Sequence, residues 1–204
     1  MFVKGVRKVA GIILAAGEGS RMGRTKQLLP FRGKTILECV VDNALGAKLD
    51  QVVVVLGHQA ELLKPLLEGK GVDAVINPRY REGQSTSLKA GLDALPNDTD
   101  AVLFLLGDQP LITPALIDQI IAAYHTSGSP IVMPVNEGKR GNPVLFSRET
   151  FAGIQALSDD CGARPLFQEY ASRLLALPIA DPAIHFDVDT EEDYRRLLDE
   201  EVVS

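Results

Sequence analysis

The chain has no tryptophan, two cysteines and three histidines in 204 residues, and aromatics make up only 5% of it. Cys39 and Cys161 lie far apart, and His58, His125 and His185 do not cluster, so a spaced zinc site is excluded. Cys39 falls in an expected helix as a small core residue and Cys161 in a polar loop; without an export signal, a disulfide is not expected. No apolar run approaches the ~20 residues that cross a bilayer. The basic start Met1-Phe-Val-Lys-Gly-Val-Arg-Lys8 lacks a secretory apolar stretch with a cleavage site, so the chain reads as cytoplasmic and free of the membrane. Net charge is −6 and no long basic block occurs, which argues against a nucleic-acid partner. Repeats, low-complexity tracts and linkers are missing too, and residues 1–204 read as one domain.

What is present centres on Val9-Ala-Gly-Ile-Ile-Leu-Ala-Ala-Gly-Glu-Gly-Ser-Arg-Met-Gly-Arg-Thr-Lys26. A short apolar run, read as a buried strand, breaks into Gly17, Gly19 and Gly23 and is followed by Arg21 and Lys26. Glycines let a ligand approach the main chain, and bare N–H groups with nearby cations favour a run of phosphates. The alternative is a plain strand-to-loop turn with solvated cations. Two familiar phosphate loops do not fit. The dinucleotide fingerprint G-x-G-x-x-G fails because Gly23 falls one place late, and Pro30 and Gly33 oppose an immediate helix. The full P-loop pattern is absent.

Further along, Thr35-Ile-Leu-Glu38 has the form of a capping box opening a helix with Ile36, Val40 and Ala44 on one face. Gln51 to Leu56 reads as a strand covered on both sides. A helix from about Gln59 to Leu67 is expected to kink or restart at Pro65. Ala74 to Asn77 is a short strand, Ser85 to Leu95 a helix whose first hydroxyls could cap it, and Ala101 to Leu106 the most apolar strand. Thr113-Pro114 opens a helix running to about His125. Ile131 to Val135 and Pro143 to Phe146, joined by a polar turn, predict a hairpin projecting from the sheet. Helices are expected near Glu149 to Leu157 and Ala163 to Ala171, and late strands at Leu174 to Leu177 and Ile184 to Val188. Thr190-Glu-Glu-Asp193 caps a last helix. This alternation predicts an α/β fold, a three-layer α/β/α domain with a mainly parallel sheet and a small β-hairpin extension.

Ligands gather beyond the carboxyl ends of such strands, where the glycine loop, Asn77 to Ser87, Asp108 and Asp187-Val-Asp189 all fall. Asp108, at the mouth of an apolar strand, reads either as a Mg²⁺ ligand or as a turn residue capping its own backbone. Asp187 and Asp189, on one side of the expected strand, read either as the rest of a metal site or as acids favouring the following helix start. Arg140, Asn142 and Arg164 are candidates for an anionic second substrate, with surface arginines as the alternative.

The segments Leu14-Ala-Ala-Gly17, Arg21-Met-Gly23, Lys26 and Leu28-Leu-Pro30 resemble the opening signature of the nucleotidyltransferases. With Gly83-Gln-Ser-Thr-Ser-Leu88, Gly107-Asp-Gln-Pro110, Gly141-Asn-Pro-Val144 and Cys161-Gly-Ala-Arg164, the chain resembles the molybdenum cofactor cytidylyltransferase branch from about Val9 to about Leu198. The resemblance implies a Rossmann-like nucleotide-diphospho-sugar transferase fold and Mg²⁺-dependent CMP transfer from CTP to a molybdopterin-type phosphate. It implies nucleotide contacts from Leu14, Ala15, Ala16, Gly17, Gly19, Ser20, Arg21, Lys26, Gln84 and Ser87. It gives catalytic roles to Arg21, Lys26 and Asp108, and metal ligation to Asp108 with Asp189, Asp187 supporting. Arg140, Asn142 and Arg164 would hold the acceptor, and a molybdenum hydroxylase would receive the product through transient contact. Relatives usually carry serine where Gly19 stands, so backbone N–H groups replace a hydroxyl contact here. Guanylyl-transferring cousins have glycine in place of Ala16, a methyl-sized difference of ~1–3 kcal/mol. The competing readings are another NTP transferase, by guanylyl transfer to the molybdenum cofactor or by transfer to a sugar or polyol phosphate, and a non-catalytic cofactor carrier; a redox enzyme is the weakest of them, given the failed dinucleotide fingerprint.

Overall fold

The computed structural model describes residues 7–18, 22–158 and 162–203. The glycine-loop residues Gly19, Ser20 and Arg21, and Cys161, lie outside them. The chain opens with β1 (Val9–Ala15), whose apolar residues are buried on both faces. A 3₁₀ turn at Lys26–Leu28 leads to a two-stranded hairpin of β2 (Pro30–Phe31) and β3 (Lys34–Thr35). Gly33 of its turn and Lys34-Thr35 of β3 form the chain's one Gly-Lys-Thr triplet. Leu28 stands where a P-loop needs its first glycine, so no phosphate cradle forms there.

Thr35 then caps α1 (Ile36–Leu45) through the expected capping box with Glu38. β4 (Gln51–Leu56) follows, then α2 (Ala60–Leu63), which passes into a 3₁₀ turn carrying Pro65. β5 (Asp73–Ile76), α3 (Gln84–Asp93), β6 (Ala101–Leu106) and α4 (Pro114–Ser127) come next, the last capped by the Thr113 side chain. The remainder comprises β7 (Ile131–Asn136), β8 (Lys139–Arg140), β9 (Val144–Ser147), α5 (Phe151–Ala156), α6 (Arg164–Glu169), β10 (Leu175–Pro178) and α7 (Glu191–Val203).

The main sheet runs β10-β7-β9-β6-β1-β4-β5, with β8 paired to β7. It is mostly parallel, and β9 alone on this path runs antiparallel to both neighbours. Alternate side chains of β1 feed two cores. Ile13 joins α1, α2 and α4 on one face, while Ile12 joins α3, α5 and α6 on the other. A third, smaller cluster packs Phe31 and Ile36 against Val188 and Leu197, docking α7 on the β2–β3 hairpin. No helix among the described residues is long and apolar enough to cross a membrane.

Two expectations need correction. The turn after β7 does form a hairpin, with β8, but Val144–Ser147 does not project from the sheet. It is buried between β6 and β7, where Leu145 and Phe146 feed opposite cores. The strand expected at Ile184 to Val188 does not form. Asp181 accepts the Ala183 N–H, and Pro182 opens a 3₁₀ turn over Pro182–His185, so local capping overrides the β-branched composition.

Candidate active site

β1 is the switch point of the sheet, with β4 and β5 to one side and β6 to the other. The crevice at such a point, beyond the strand carboxyl ends, is where α/β folds bind ligands. Close backbone approach builds it. The Gly107 N–H donates to the Leu14 carbonyl (2.9 Å), and the His58 N–H donates to the Ala16 carbonyl (3.1 Å). A Cβ on Gly57 would stand 2.8 Å from both the Ala16 oxygen and the Tyr80 Cβ, so that position tolerates no side chain. Gly17, in contrast, has no heavy atom of the described residues within 4 Å of where its Cβ would be, and among those residues its side of the turn is open to the crevice.

Lys26, brought back from the 3₁₀ turn, hydrogen bonds through its ammonium to Asp108 Oδ2 and to Asp189 Oδ1, the latter at 2.6 Å. Its side chain is 11% exposed, that of Asp108 16% and that of Asp189 39%. Burial alone would lower the Lys26 pKa, but the two carboxylates outweigh it and hold it above the ordinary lysine value. One cation therefore joins residues 82 and 163 positions away. The Val188 N–H donates to the Asp108 carbonyl (3.1 Å), and its fully buried side chain anchors the Asp187–Asp189 segment. Burying a valine contributes about 1.5–3 kcal/mol.

Asp187 and Asp189 diverge. Asp187 accepts from Gln109 Nε2 (2.6 Å) rather than from Lys26. Burial, and then the Asp108 charge, push its carboxyl up to about 6. Among the described residues no three acidic, histidine or cysteine side chains converge as a ready-made metal cage. The arrangement fits an ion held by two carboxylates, the number Mg²⁺ ordinarily takes alongside substrate phosphates. Asp108 Oδ1 is buried and has no hydrogen-bond partner among the described residues, which suits an oxygen kept for a hard cation.

The raised Asp187 pKa has a measurable sign. The protonated form is favoured in the folded protein, so its contribution is full below the unfolded value near 3.8 and is lost as pH rises through about 6. Asp187→Asn abolishes that dependence. In chelator, the melting temperature of the variant relative to wild type is expected to rise between about pH 4 and about pH 7. A constant difference across that range contradicts the assignment.

One pocket adjoins this cluster and a second is contiguous with the first. A cleft of about 1030 Å³ is lined by Leu14, Ala16, Gly17, Lys26, Gln84, Ser87 and Asp108, as the sequence predicts, and also by Glu18, Gln27, Tyr80 and Arg81. Ala15 points into the core instead. Arg81 Nε donates to Glu18 Oε1 (2.9 Å), joining the glycine turn to the segment after β5. Ser87 and Thr86 do not cap α3. Asn77 Nδ2 donates to both hydroxyls, at 3.0 and 2.8 Å, and holds them at the start of the helix. Asn77 and Gln109 are supporting residues that sequence reasoning missed; their place at strand ends before proline was the available signal. The second pocket, about 590 Å³, brings together Arg140, Asn142 and Arg164 and shares Leu14, Gln84, Leu106 and Arg164 with the first.

An open glycine turn at the switch point, a buried ammonium between two carboxylates and paired pockets define an α/β domain built to handle phosphorylated nucleotides. Residues 11–174 match the MobA-like NTP transferase domain, and the chain belongs to that family. It is 30% identical to the molybdenum cofactor cytidylyltransferase of Escherichia coli K12, over 90% of this chain and 92% of the relative. Nicotine blue oxidoreductase from Paenarthrobacter nicotinovorans is also 30% identical, over 93% and 96% of the two chains. The crystal structure of Rv0371c from Mycobacterium tuberculosis superposes with a TM-score of 0.85 at 32% identity, over 95% of this chain and 99% of that one. A manganese complex of Rv0371c superposes at 0.81 and 31%, over 94% and 98%. A nucleotidyl transferase from Methanothermobacter does so at 0.83 and 25%, over 96% and 98%.

Proposed function

We propose that the chain transfers CMP from CTP to the phosphate of a molybdopterin-type acceptor and releases pyrophosphate. The observation that carries this reading is the Lys26 ammonium shared by Asp108 and Asp189 beside the open face of Gly17. In the reaction an acceptor phosphate oxygen attacks the α-phosphorus of CTP. The bond from that phosphorus to the bridging oxygen breaks, and pyrophosphate departs with the electron pair. The acceptor phosphate is already ionised, so positioning and electrostatics suffice and no general base is required.

Asp108 and Asp189 are the residues that would hold Mg²⁺, which supplies charge neutralisation on the phosphates. The backbone N–H groups of the Gly17 turn, with Lys26 and Arg21, hold the triphosphate and balance the charge of the leaving pyrophosphate. Gln84 and Ser87, the latter fixed by Asn77, face the base and ribose. Ala16 lines the same cleft, and its methyl group favours the smaller base. Arg140, Asn142 and Arg164 receive the acceptor. The kinship with the Escherichia coli cytidylyltransferase supports both the base and the acceptor. A molybdenum hydroxylase would take the product, and the reaction belongs in the cytoplasm.

Pyrophosphate release from CTP, GTP, UTP and ATP in the presence of molybdopterin and Mg²⁺ tests the reading. Release with CTP, matched by dinucleotide formation, is expected; preference for another nucleotide overturns the base assignment. Tight pterin binding without release would favour a carrier. A second reading, oxidation–reduction, follows from the relative named nicotine blue oxidoreductase. The failed dinucleotide fingerprint argues against it, and consumption of NADH or NADPH by the same preparation would establish it.

A further inference from the structure

We propose that Phe167 is a positioning residue for the acceptor: it presents the Arg140 guanidinium at the second pocket and, with it, selects a flat heteroaromatic anion over a sugar phosphate. The proposal rests on the transfer reading above. Its basis is a line of contacts running from the core to the pocket. Phe104 of β6 meets Phe146 of β9 edge-on, with centroids 5.8 Å apart and planes at 67°. Phe146, 1% exposed, stacks on Phe167 of α6 at 6.0 Å and 21°. The Arg140 Cζ then lies over the Phe167 ring, 5.6 Å from its centroid.

Arg140 sits on a two-residue strand whose residues are both exposed, and among the described residues no carboxylate pairs with it. A long side chain in that setting samples many rotamers unless something restrains it. The Phe167 face does so, and Phe167 is itself held by a ring that cannot move without disturbing the core. Arg164 opens the same helix three residues before Phe167, a spacing that puts both on one side of it. α6 therefore contributes one guanidinium and orients the other.

The lining between them suits a particular chemistry. Leu88, Phe104, Met133 and Val144 are buried apolar residues that face the pocket. Sugar hydroxyls laid against those four side chains would lose water without gaining partners there, the pocket's amides being Gln84, Asn142 and Gln168 elsewhere in its lining. A flat heteroaromatic ring loses little there, and a guanidinium already laid on one ring is oriented to stack a second while its N–H groups take an anionic oxygen.

The test is equilibrium binding of a phosphorylated pterin, followed by its own fluorescence, to wild type, Phe167→Leu, Phe167→Tyr and Arg140→Lys, with ribose 5-phosphate as the sugar competitor. This readout needs neither CTP nor turnover, so it stands apart from failure of the transfer reading, which absent pyrophosphate release would reveal. Phe167→Leu is expected to weaken pterin binding about tenfold, the scale of one cation–π contact. Phe167→Tyr is expected to restore it. Arg140→Lys, an exposed change that keeps charge but not planarity, is expected to match Phe167→Leu. In turnover the Phe167→Leu loss should fall on the acceptor KM, with kcat and the CTP KM within about twofold. Unchanged pterin binding in Phe167→Leu and Arg140→Lys, or ribose 5-phosphate competing as well as the pterin, overturns the proposal.

Discussion

Asp108→Asn is expected to lower kcat for pyrophosphate release by on the order of 10²–10³-fold while pterin binding stays within about twofold. The substitution is nearly isosteric, so what changes is charge. Asp108 supplies one of the two carboxylates on Lys26 and a second, buried oxygen with no partner among the described residues. Asparagine removes the negative charge that would hold a divalent cation where the phosphates lie. Asp108 does not line the pocket proposed for the acceptor, which is why pterin binding is expected to be spared. Stopped-flow measurement of pyrophosphate release, alongside pterin fluorescence titration, checks both halves. Equal turnover in the variant would remove Asp108 from the reaction.

Lys26→Met is expected to damage both stability and function. Taking away the ammonium leaves Asp108 and Asp189 facing each other, with Asp187 near enough for its pKa to register both charges. Losing one partner of a buried ion pair is strongly destabilising. Because Asp189 is 39% exposed and partly screened by water, a loss of about 2–3 kcal/mol is expected, at or just below the low end of the usual range. Chemical denaturation in chelator measures it. The double variant Lys26→Met/Asp108→Asn should lose less than Lys26→Met alone, because the uncompensated charge goes with the aspartate. Transition-state stabilisation should fall as well, read as a decrease in kcat/KM for CTP of on the order of 10²-fold. Additive losses in the double variant would show that the ammonium and the carboxylate do not act on each other.

Much of this architecture could be read from the chain, and the exceptions have physical causes. The capping box at Thr35 and Glu38, the strand Gln51–Leu56 and the break at Pro65 are local features, set by residues within a few positions of one another. The expected position of Pro143 to Phe146 differs from the observed one because a short apolar run looks the same on an edge as in the middle of a sheet; only the pairing of β9 with β6 reveals its place. Ile184 to Val188 does not form the expected strand because Asp181 and Pro182 nucleate a 3₁₀ turn that β-branched composition does not announce.

The site divides along the same line. Lys26, Asp108 and the proposed acceptor residues Arg140, Asn142 and Arg164 stand out as charges or amides at element ends, and the fold gathers them into adjoining pockets. The contacts of Gln109 and Arg81 run to partners distant in sequence, that of Phe167 through a stack of rings, and beyond the strand-end position before proline at Asn77 and Gln109 no spacing rule exposes them. The separation of Asp187 from Asp189 is of the same kind. Alternation placed both on one side, whereas the fold hands one to Gln109 and the other to Lys26.

The most direct measurement is a crystal structure with CTP, or a non-hydrolysable analogue, and Mn²⁺ located by its anomalous signal. The account predicts one ion bound by Asp108 and Asp189 together with triphosphate oxygens, the glycine turn wrapped on the phosphates and Lys26 turned toward them. An ion bound away from Asp108, or a triphosphate lying outside the Gly17 turn, would contradict it.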